Sequence, residues 1–119
     1  MQITIQSQDF TMTSAMQEHI TRRLRFALSR SADRIRRVTV RLADVNGPRG
    51  GMDKRCRIQV EMPTMASIVT EDVDANMYAA ISRSAARAGR AVVSKLKRHQ
   101  VLKRAAPKGG ELPNMSETN

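Results

Sequence analysis

The residues with the clearest chemical potential are arginines and lysines, which fall in two blocks of the chain. Residues 75–110 contain nine basic residues and no acidic one, and residues 22–37 contain seven basic residues opposed only by Asp33. Sixteen of the 21 basic residues therefore lie in these blocks, where the net charge of +10 is concentrated. Guanidinium groups bind phosphates through paired hydrogen bonds. The blocks predict a surface that binds a polyanion, and nucleic acid is the main candidate.

The first block lies on a predicted amphipathic helix that begins after an N-cap at Thr13 and ends near Ser29. The polar face of this helix also contains Glu18, which makes the evidence for phosphate binding less specific here. Phe26 lies off the apolar stripe, and we expect it to cover a loop or a sheet edge rather than to stack on a base. The candidate RNA-binding residues of this helix are Arg22, Arg23, Arg25 and Arg30.

The second block lies on a longer helix, which is predicted to begin at a cap formed by Asp74 or Asn76 and to end near His99. Solvent-exposed helix faces ordinarily mix both signs of charge. Here Arg83 and Arg87 repel each other, and no acidic residue of the helix compensates. The basic face is about 21 Å long, which suits several consecutive phosphates better than a merely solvated role. Its candidate RNA-binding residues are Arg83, Arg87, Arg90, Lys95, Lys97 and Arg98.

Catalytic and metal-binding chemistry has little support in the sequence. His19 and His99 fall on different predicted helices, and Cys56 lies on the inward side of a predicted strand, where a buried and inert thiol is expected. A single cysteine excludes an intramolecular disulfide and a cysteine-built zinc site. The glycine-rich loop at residues 44–53 lacks the Gly-Lys-Ser/Thr ending of a P-loop. We therefore expect a protein that is not an enzyme, with no cofactor, metal or small-molecule substrate.

Composition narrows the remaining classes of protein. Aromatic residues make up only 3% of the chain, which argues against modules that stack bases on exposed rings and favours a reader of phosphates and shape. The N-terminal residues lack the apolar core of a signal peptide, and no stretch approaches the roughly 20 apolar residues of a membrane span. A basic amphipathic helix can lie on an anionic membrane, but flanking Trp or Phe residues are missing here. We expect a cytoplasmic protein with no membrane partner.

The periodic spacing of apolar residues predicts the strands and helices that position the basic residues. Alternation predicts strands over residues 2–6, 37–42 and 55–62, and a fourth, less regular strand over about 67–73. A right-handed crossover makes the first two strands parallel, and hairpins make the others antiparallel. The predicted fold is α+β, with the order βαβββα and a four-stranded mixed sheet whose two helices pack on one face. On the open face, Arg41, Arg55 and Arg57 either extend the basic surface or protect an edge from aggregation.

The segment Asn-Met-Tyr-Ala-Ala-Ile at residues 76–81, followed by Arg87 and Arg90, resembles the ribosome hibernation-promoting factor family. This family is also called ribosome-associated inhibitor or sigma-54 modulation protein. Its second helix typically opens with Asp-Met-Tyr-x-Ala-Ile and has basic residues at the positions of Arg87 and Arg90, so Asn76 replaces the usual Asp. The opening strand, the cap at Thr13 and the hairpin around residues 44–56 are also similar. The resemblance spans about residues 1–100.

This resemblance implies a translation inhibitor that binds small-subunit ribosomal RNA in the channel used by mRNA and tRNA. It implies the small ribosomal subunit and its rRNA as partners and a protein that is monomeric off the ribosome. Residues 1–104 are expected to form the ribosome-binding domain, and residues 105–119 a disordered tail that is too short for the extra dimerisation domain of the long family form. Two alternatives stay open, namely a general double-stranded RNA or DNA binding protein and a protein-binding modulator of transcription.

Overall fold

The computed structural model describes residues 1–8, 11–45 and 53–105, and it describes side chains as far as Gln100. Residues 46–52 of the predicted glycine-rich loop and the predicted tail beyond residue 105 lie outside the described residues. The elements, in an order that confirms the predicted βαβββα fold, are β1 (Gln2–Gln8), α1 (Ser14–Leu28), a 3-10 helix (Ser29–Arg34), β2 (Arg37–Asp44), β3 (Lys54–Glu61), β4 (Ile68–Asp74) and α2 (Met77–Ala105).

The four strands form one mixed sheet in the order β1-β2-β3-β4. β1 pairs with β2 in parallel, and the other two pairs are antiparallel, as predicted. Because alternate strand residues point to the same face, Val40 and its partner Ile58 project together into the core. Ile20 from α1 and Ile81 from α2 join the same core. Both helices therefore pack on one face, and polar residues such as Thr39 lie on the other.

Both helices begin at the predicted caps. The backbone N–H of Met16 donates to the Thr13 hydroxyl at 3.1 Å, which satisfies one of the free amides of the first turn of α1. At the start of α2, the amide of Tyr78 donates to the Asn76 side-chain oxygen at 2.8 Å. The amide of Asn76 in turn donates to Asp74 at 2.8 Å. Asn76 is therefore the cap itself, and Asp74 orients it.

Helix α2 is longer than predicted, whereas the irregular fourth strand is present as predicted. Helix α2 continues to Ala105 rather than ending near His99. Strand β4 places Ile68, Thr70 and Asp72 on the side of the sheet that faces α2, since these residues pair with the inward-facing positions of β3. Only the first of the three is apolar, because β4 is an edge strand that meets the polar flank of α2. That mixed environment explains why the fourth strand shows no clean alternation.

Helices α1 and α2 come into very close contact at Gly89. A Cβ atom at this position would lie 2.6 Å from the carbonyl oxygen of Ala27, which is shorter than any normal carbon–oxygen contact. Only glycine lets the two backbones approach this far. The glycine therefore fixes the spacing of the two helices that carry the basic blocks.

Candidate nucleic-acid interface

A groove about 740 Å³ in volume runs between α1 and α2 beside Gly89. Arg23 and Phe26 of α1, Arg30 of the 3-10 helix and Arg90 of α2 all line it. Arg23 and Phe26 share one face of α1, because residues three positions apart lie on the same side of a helix, and Arg30 follows them on the 3-10 helix. The tertiary structure thus brings members of both basic blocks, which are about sixty residues apart in the chain, to one place.

The arginines of this groove carry uncompensated charge. Among the described residues, no ion pair involves Arg23, Arg30 or Arg90. The Nε atom of Arg23 is also buried without a hydrogen-bond partner in the described part of the chain. A buried donor without a partner costs about 1–3 kcal/mol. Three cations in a groove that no described acidic residue lines form a site whose natural occupant is an anion.

The other two candidates on α1 lie elsewhere on the helix. Arg22 and Arg25 are exposed and line a shallow depression together with Glu18 and Thr21. The basic candidates of the first block therefore form two groups. One group faces the groove with Arg23 and Arg30, and the other faces outward beside an acidic residue.

The first two arginines of α2 are ion-paired, although the sequence predicts uncompensated repulsion between them. Arg83 donates from Nε to Asp72 at 2.7 Å and also contacts the Asp74 carboxylate. Arg87 donates to the other oxygen of Asp72 at 2.8 Å and to the backbone carbonyl of Glu71 at 2.6 Å. The prediction of uncompensated charge at these two positions is wrong, because the compensating acids come from β4 rather than from the helix.

These ion pairs affect protonation as well as charge. The hydrogen bond from Arg83 lowers the pKa of Asp74 below its ordinary value, and the amide of Asn76 lowers it further. The same contacts raise the pKa of Arg83, with Asp74 contributing first and Asp72 second. The Asp74 carboxylate is therefore held in its ionised form, paired with Arg83, at neutral pH.

Of the other basic candidates of α2, Lys95 is hydrogen-bonded to the backbone, whereas Lys97 and Arg98 are exposed. Lys95 donates to the backbone carbonyl of Ala66 at 2.7 Å and so ties the helix to the loop before β4. Lys97 and Arg98 are exposed, and in the described ranges neither takes part in an ion pair. Together with Arg90, these two are the basic candidates of α2 that have no ion pair or hydrogen bond to a side chain or carbonyl among the described residues.

The open sheet face contains a second group of arginines. Arg41 of β2 lies directly opposite Arg57 of β3 and donates to the Gln6 side-chain oxygen at 3.1 Å. Arg55 lines the same shallow groove of about 360 Å³. The interpretation of these arginines as edge protection is wrong, because β2 and β3 are the two central strands. Like charges placed directly across a sheet destabilise it, so the extended basic surface is the remaining interpretation.

The groups considered for catalysis are positioned as structural residues. Cys56 is fully buried, as predicted, and burial raises the pKa of its thiol to about 12. His19 contacts Ser82 at 3.2 Å and packs edge-on against Tyr78, and burial lowers its pKa. Among the described residues, no three His, Cys, Asp or Glu side chains lie close enough to bind a metal ion together. Within the same residues, no helix has the length and apolar character needed to cross a bilayer.

Comparisons with known proteins give a family and a fold. The family model described as Sigma 54 modulation protein / S30EA ribosomal protein matches residues 3–100. Curated protein sequences give no significant match. The N-terminal domain of Thermus thermophilus Protein Y has a TM-score of 0.66 and 24% identity, and the match covers 80% of this chain and 99% of that one. A ribosomal subunit interface protein from Coxiella burnetii has a TM-score of 0.66 and 19% identity, with 82% and 98% covered.

Proposed function

The chain belongs to the sigma 54 modulation protein / S30EA ribosomal protein family, and we propose that it is a hibernation factor that binds the small ribosomal subunit and inhibits translation. The contacts are with rRNA phosphates in the channel used by mRNA and tRNA. The helix-opening segment at residues 76–81 and the order of the elements agree with this membership. The name of the Coxiella burnetii relative, a ribosomal subunit interface protein, supports a ribosomal partner.

The proposal rests mainly on the convergence of Arg23, Arg30 and Arg90 in one groove, where none of them forms an ion pair with another described residue. Unpaired guanidinium groups bind phosphates without first breaking a contact inside the protein, so they contribute most to affinity. The outward residues Arg22, Arg25, Lys97 and Arg98 extend the surface on either side.

The ion-paired residues of α2 have a smaller part in this proposal. Arg83 and Arg87 retain exposed guanidinium groups, with 51% and 44% of the side chain exposed, so they can still meet a phosphate. Their carboxylate partners on β4 offset the attraction, and Lys95 is already bound to a carbonyl. We assign ribosome binding to residues 1–104, because the core and all these basic residues lie there.

Inhibition in this proposal needs no catalytic step. A protein that occupies the path of mRNA and tRNA lowers translation in proportion to the fraction of ribosomes it binds. The buried thiol of Cys56 has no access to a substrate, so Cys56→Ala is expected to inhibit translation as the unmodified protein does. Inhibition that exceeds the bound fraction, or that Cys56→Ala abolishes in a folded protein, would contradict an occupancy mechanism.

The proposal is tested by sedimentation of the purified protein with separated ribosomal subunits across a series of salt concentrations. We expect co-sedimentation with small subunits, and we expect Arg23→Gln/Arg90→Gln to flatten the log–log salt slope by about two units. The matched control is Arg34→Gln/Arg36→Gln, which removes two exposed charges outside the groove. Equal slopes for both double variants would place the contact elsewhere.

The same measurement separates the alternatives. A general duplex binder would bind a double-stranded RNA of arbitrary sequence as tightly as it binds the small subunit. A protein-binding transcription modulator would not co-sediment with either subunit at physiological salt. Either result would overturn the proposed function.

A further inference from the structure

Phe26 is the most exposed large apolar side chain in the described part of the protein, with 77% of its surface in solvent. The expectation that it covers a loop or a sheet edge is wrong. Burial of a phenylalanine ring contributes favourable free energy to folding, because it removes apolar surface from water. At this position the fold gains little of that energy, so the ring needs another explanation.

The surroundings of Phe26 limit what can cover it. The ring lies at the groove between the helices, one turn after Arg23 and one turn before Arg30, and Arg90 and Val93 line the opposite wall. All charged side chains that line this groove within the described residues are positive. An occupant must therefore offer a flat apolar surface and negative charge within a few ångströms of each other.

A single-stranded nucleotide has this combination. Its base has an exposed π-face that stacks on aromatic rings, and each nucleotide brings one phosphate for a neighbouring arginine. A duplex does not have it, because its bases are already stacked on one another. The charge of the groove also favours a nucleic acid over an apolar protein segment, since such a segment would leave three cations without a partner.

We propose that Phe26 is a base-stacking site for an unpaired RNA nucleotide, with the flanking phosphates bound by Arg23, Arg30 and Arg90. The inference rests on the proposed function and adds that the RNA segment in the groove is single-stranded. It also revises the argument from the low aromatic content. One exposed ring between arginines is enough to hold one base, although it does not form the aromatic platform of an RNA-recognition motif.

The absence of tryptophan from the sequence makes a direct test possible. In the full chain, Phe26→Trp creates a single fluorescent reporter at the site, and Val69→Trp creates a control reporter at an exposed position of β4. The probes are a ten-nucleotide oligo(A) RNA and an RNA duplex of ten base pairs. We expect the single strand to quench the indole fluorescence of Phe26→Trp and the duplex to leave it unchanged, with no quenching in the control variant. Equal quenching by both RNAs would overturn the proposal.

Affinity measurements provide a second test of the stacking site. We expect Phe26→Ala to weaken binding of the single strand roughly 5- to 100-fold and to leave duplex binding unchanged, whereas Phe26→Tyr retains affinity. Since the ring is exposed, these variants are expected to fold, and thermal melting checks this. Unchanged single-strand affinity in Phe26→Ala would overturn the stacking site. If Phe26→Ala weakened ribosome binding but not oligo(A) binding, the ring would contact a ribosomal protein, and the proposal would also fail.

Sedimentation with small subunits keeps this inference separate from the proposed function. Failure of the unmodified protein to bind subunits would overturn the function. Salt-dependent subunit binding together with unchanged behaviour of Phe26→Ala in every assay would leave the function intact and overturn only the stacking site.

Discussion

The two flanks of helix α2 use the same residue type for different purposes. On the flank that faces β4, Arg83 and Arg87 bind Asp72 and hold the helix against the edge strand. On the flank that faces α1, Arg90 lines the groove and has no acidic partner among the described residues. Arg87 and Arg90 are only three positions apart, so the difference between them comes from what lies beside the helix rather than from the helix itself.

This comparison shows that a run of positive charge in a sequence is not yet a binding surface. The sequence counts cations, whereas affinity for a polyanion depends on the cations whose charge is not already compensated. Where an arginine pairs with a carboxylate of the same protein, its gain from binding a phosphate is reduced by the neighbouring negative charge. The comparison makes four measurable predictions.

The largest effect is expected on RNA affinity when the two arginines are compared one at a time. Arg90→Gln is expected to weaken binding to small ribosomal subunits at least about tenfold, because a charged hydrogen bond contributes about 1.5–3 kcal/mol. Arg87→Gln is expected to weaken it less than about threefold. Both variants remove one exposed charge from the same helix, so each controls for the other in sedimentation at fixed salt. Equal losses would remove the distinction between the flanks.

The second effect concerns the close contact that forms the groove. Gly89→Ala is expected to destabilise the protein by about 1–3 kcal/mol, because the new Cβ would overlap the carbonyl of Ala27. The higher helix propensity of alanine offsets about 1 kcal/mol of the steric cost. Urea denaturation measures the change, and Ser94→Ala at an exposed position of the same helix is the control. A stabilised Gly89→Ala would mean that the helices separate without cost.

The third prediction concerns stability, for which the two arginine variants are expected to rank in the opposite order. Arg87→Gln is expected to lower the free energy of unfolding by about 0.5–1 kcal/mol, because Asp72 loses one of its two partners. Arg90→Gln is expected to change stability by less than about 0.5 kcal/mol, as exposed substitutions usually do. Urea denaturation of the same two variants tests this. An Arg90→Gln variant that is less stable than Arg87→Gln would indicate a structural role for the groove arginine.

The smallest effect is the pH dependence of the ion pairs on the β4 flank. The pKa of Asp74 lies below its ordinary value of 3.8, so its contribution to stability is complete above pH 3.8 and is lost as the pH falls through the lowered pKa. In Arg83→Gln that pKa returns toward its ordinary value. Arg83→Gln is therefore expected to be less stable than the unmodified protein at neutral pH, and this difference is expected to shrink at acid pH. Urea denaturation at neutral and at acid pH measures this difference. For Arg90→Gln, the stability difference from the unmodified protein is expected not to change with pH.

Local sequence patterns were sufficient to predict most of the fold. The caps at Thr13 and Asn76, the alternation of β2 and β3 and the apolar stripes of both helices are properties of neighbouring residues, and all are present in the structure. Strand β4 was harder to predict, since its inward positions face a polar helix flank and the alternation of apolar residues is lost.

The sequence by itself determined which residues carry positive charge and which helices they lie on. Only the tertiary structure decided which of those charges are free, because an ion pair such as that of Arg87 with Asp72 joins residues fifteen positions apart on different elements. The groove likewise depends on α1 and α2 meeting at Gly89, and the position of this glycine beside the apolar stripe of α2 does not by itself identify Ala27 as its neighbour. Charge and periodicity are local properties of a chain, whereas pairing and accessibility depend on how its elements pack.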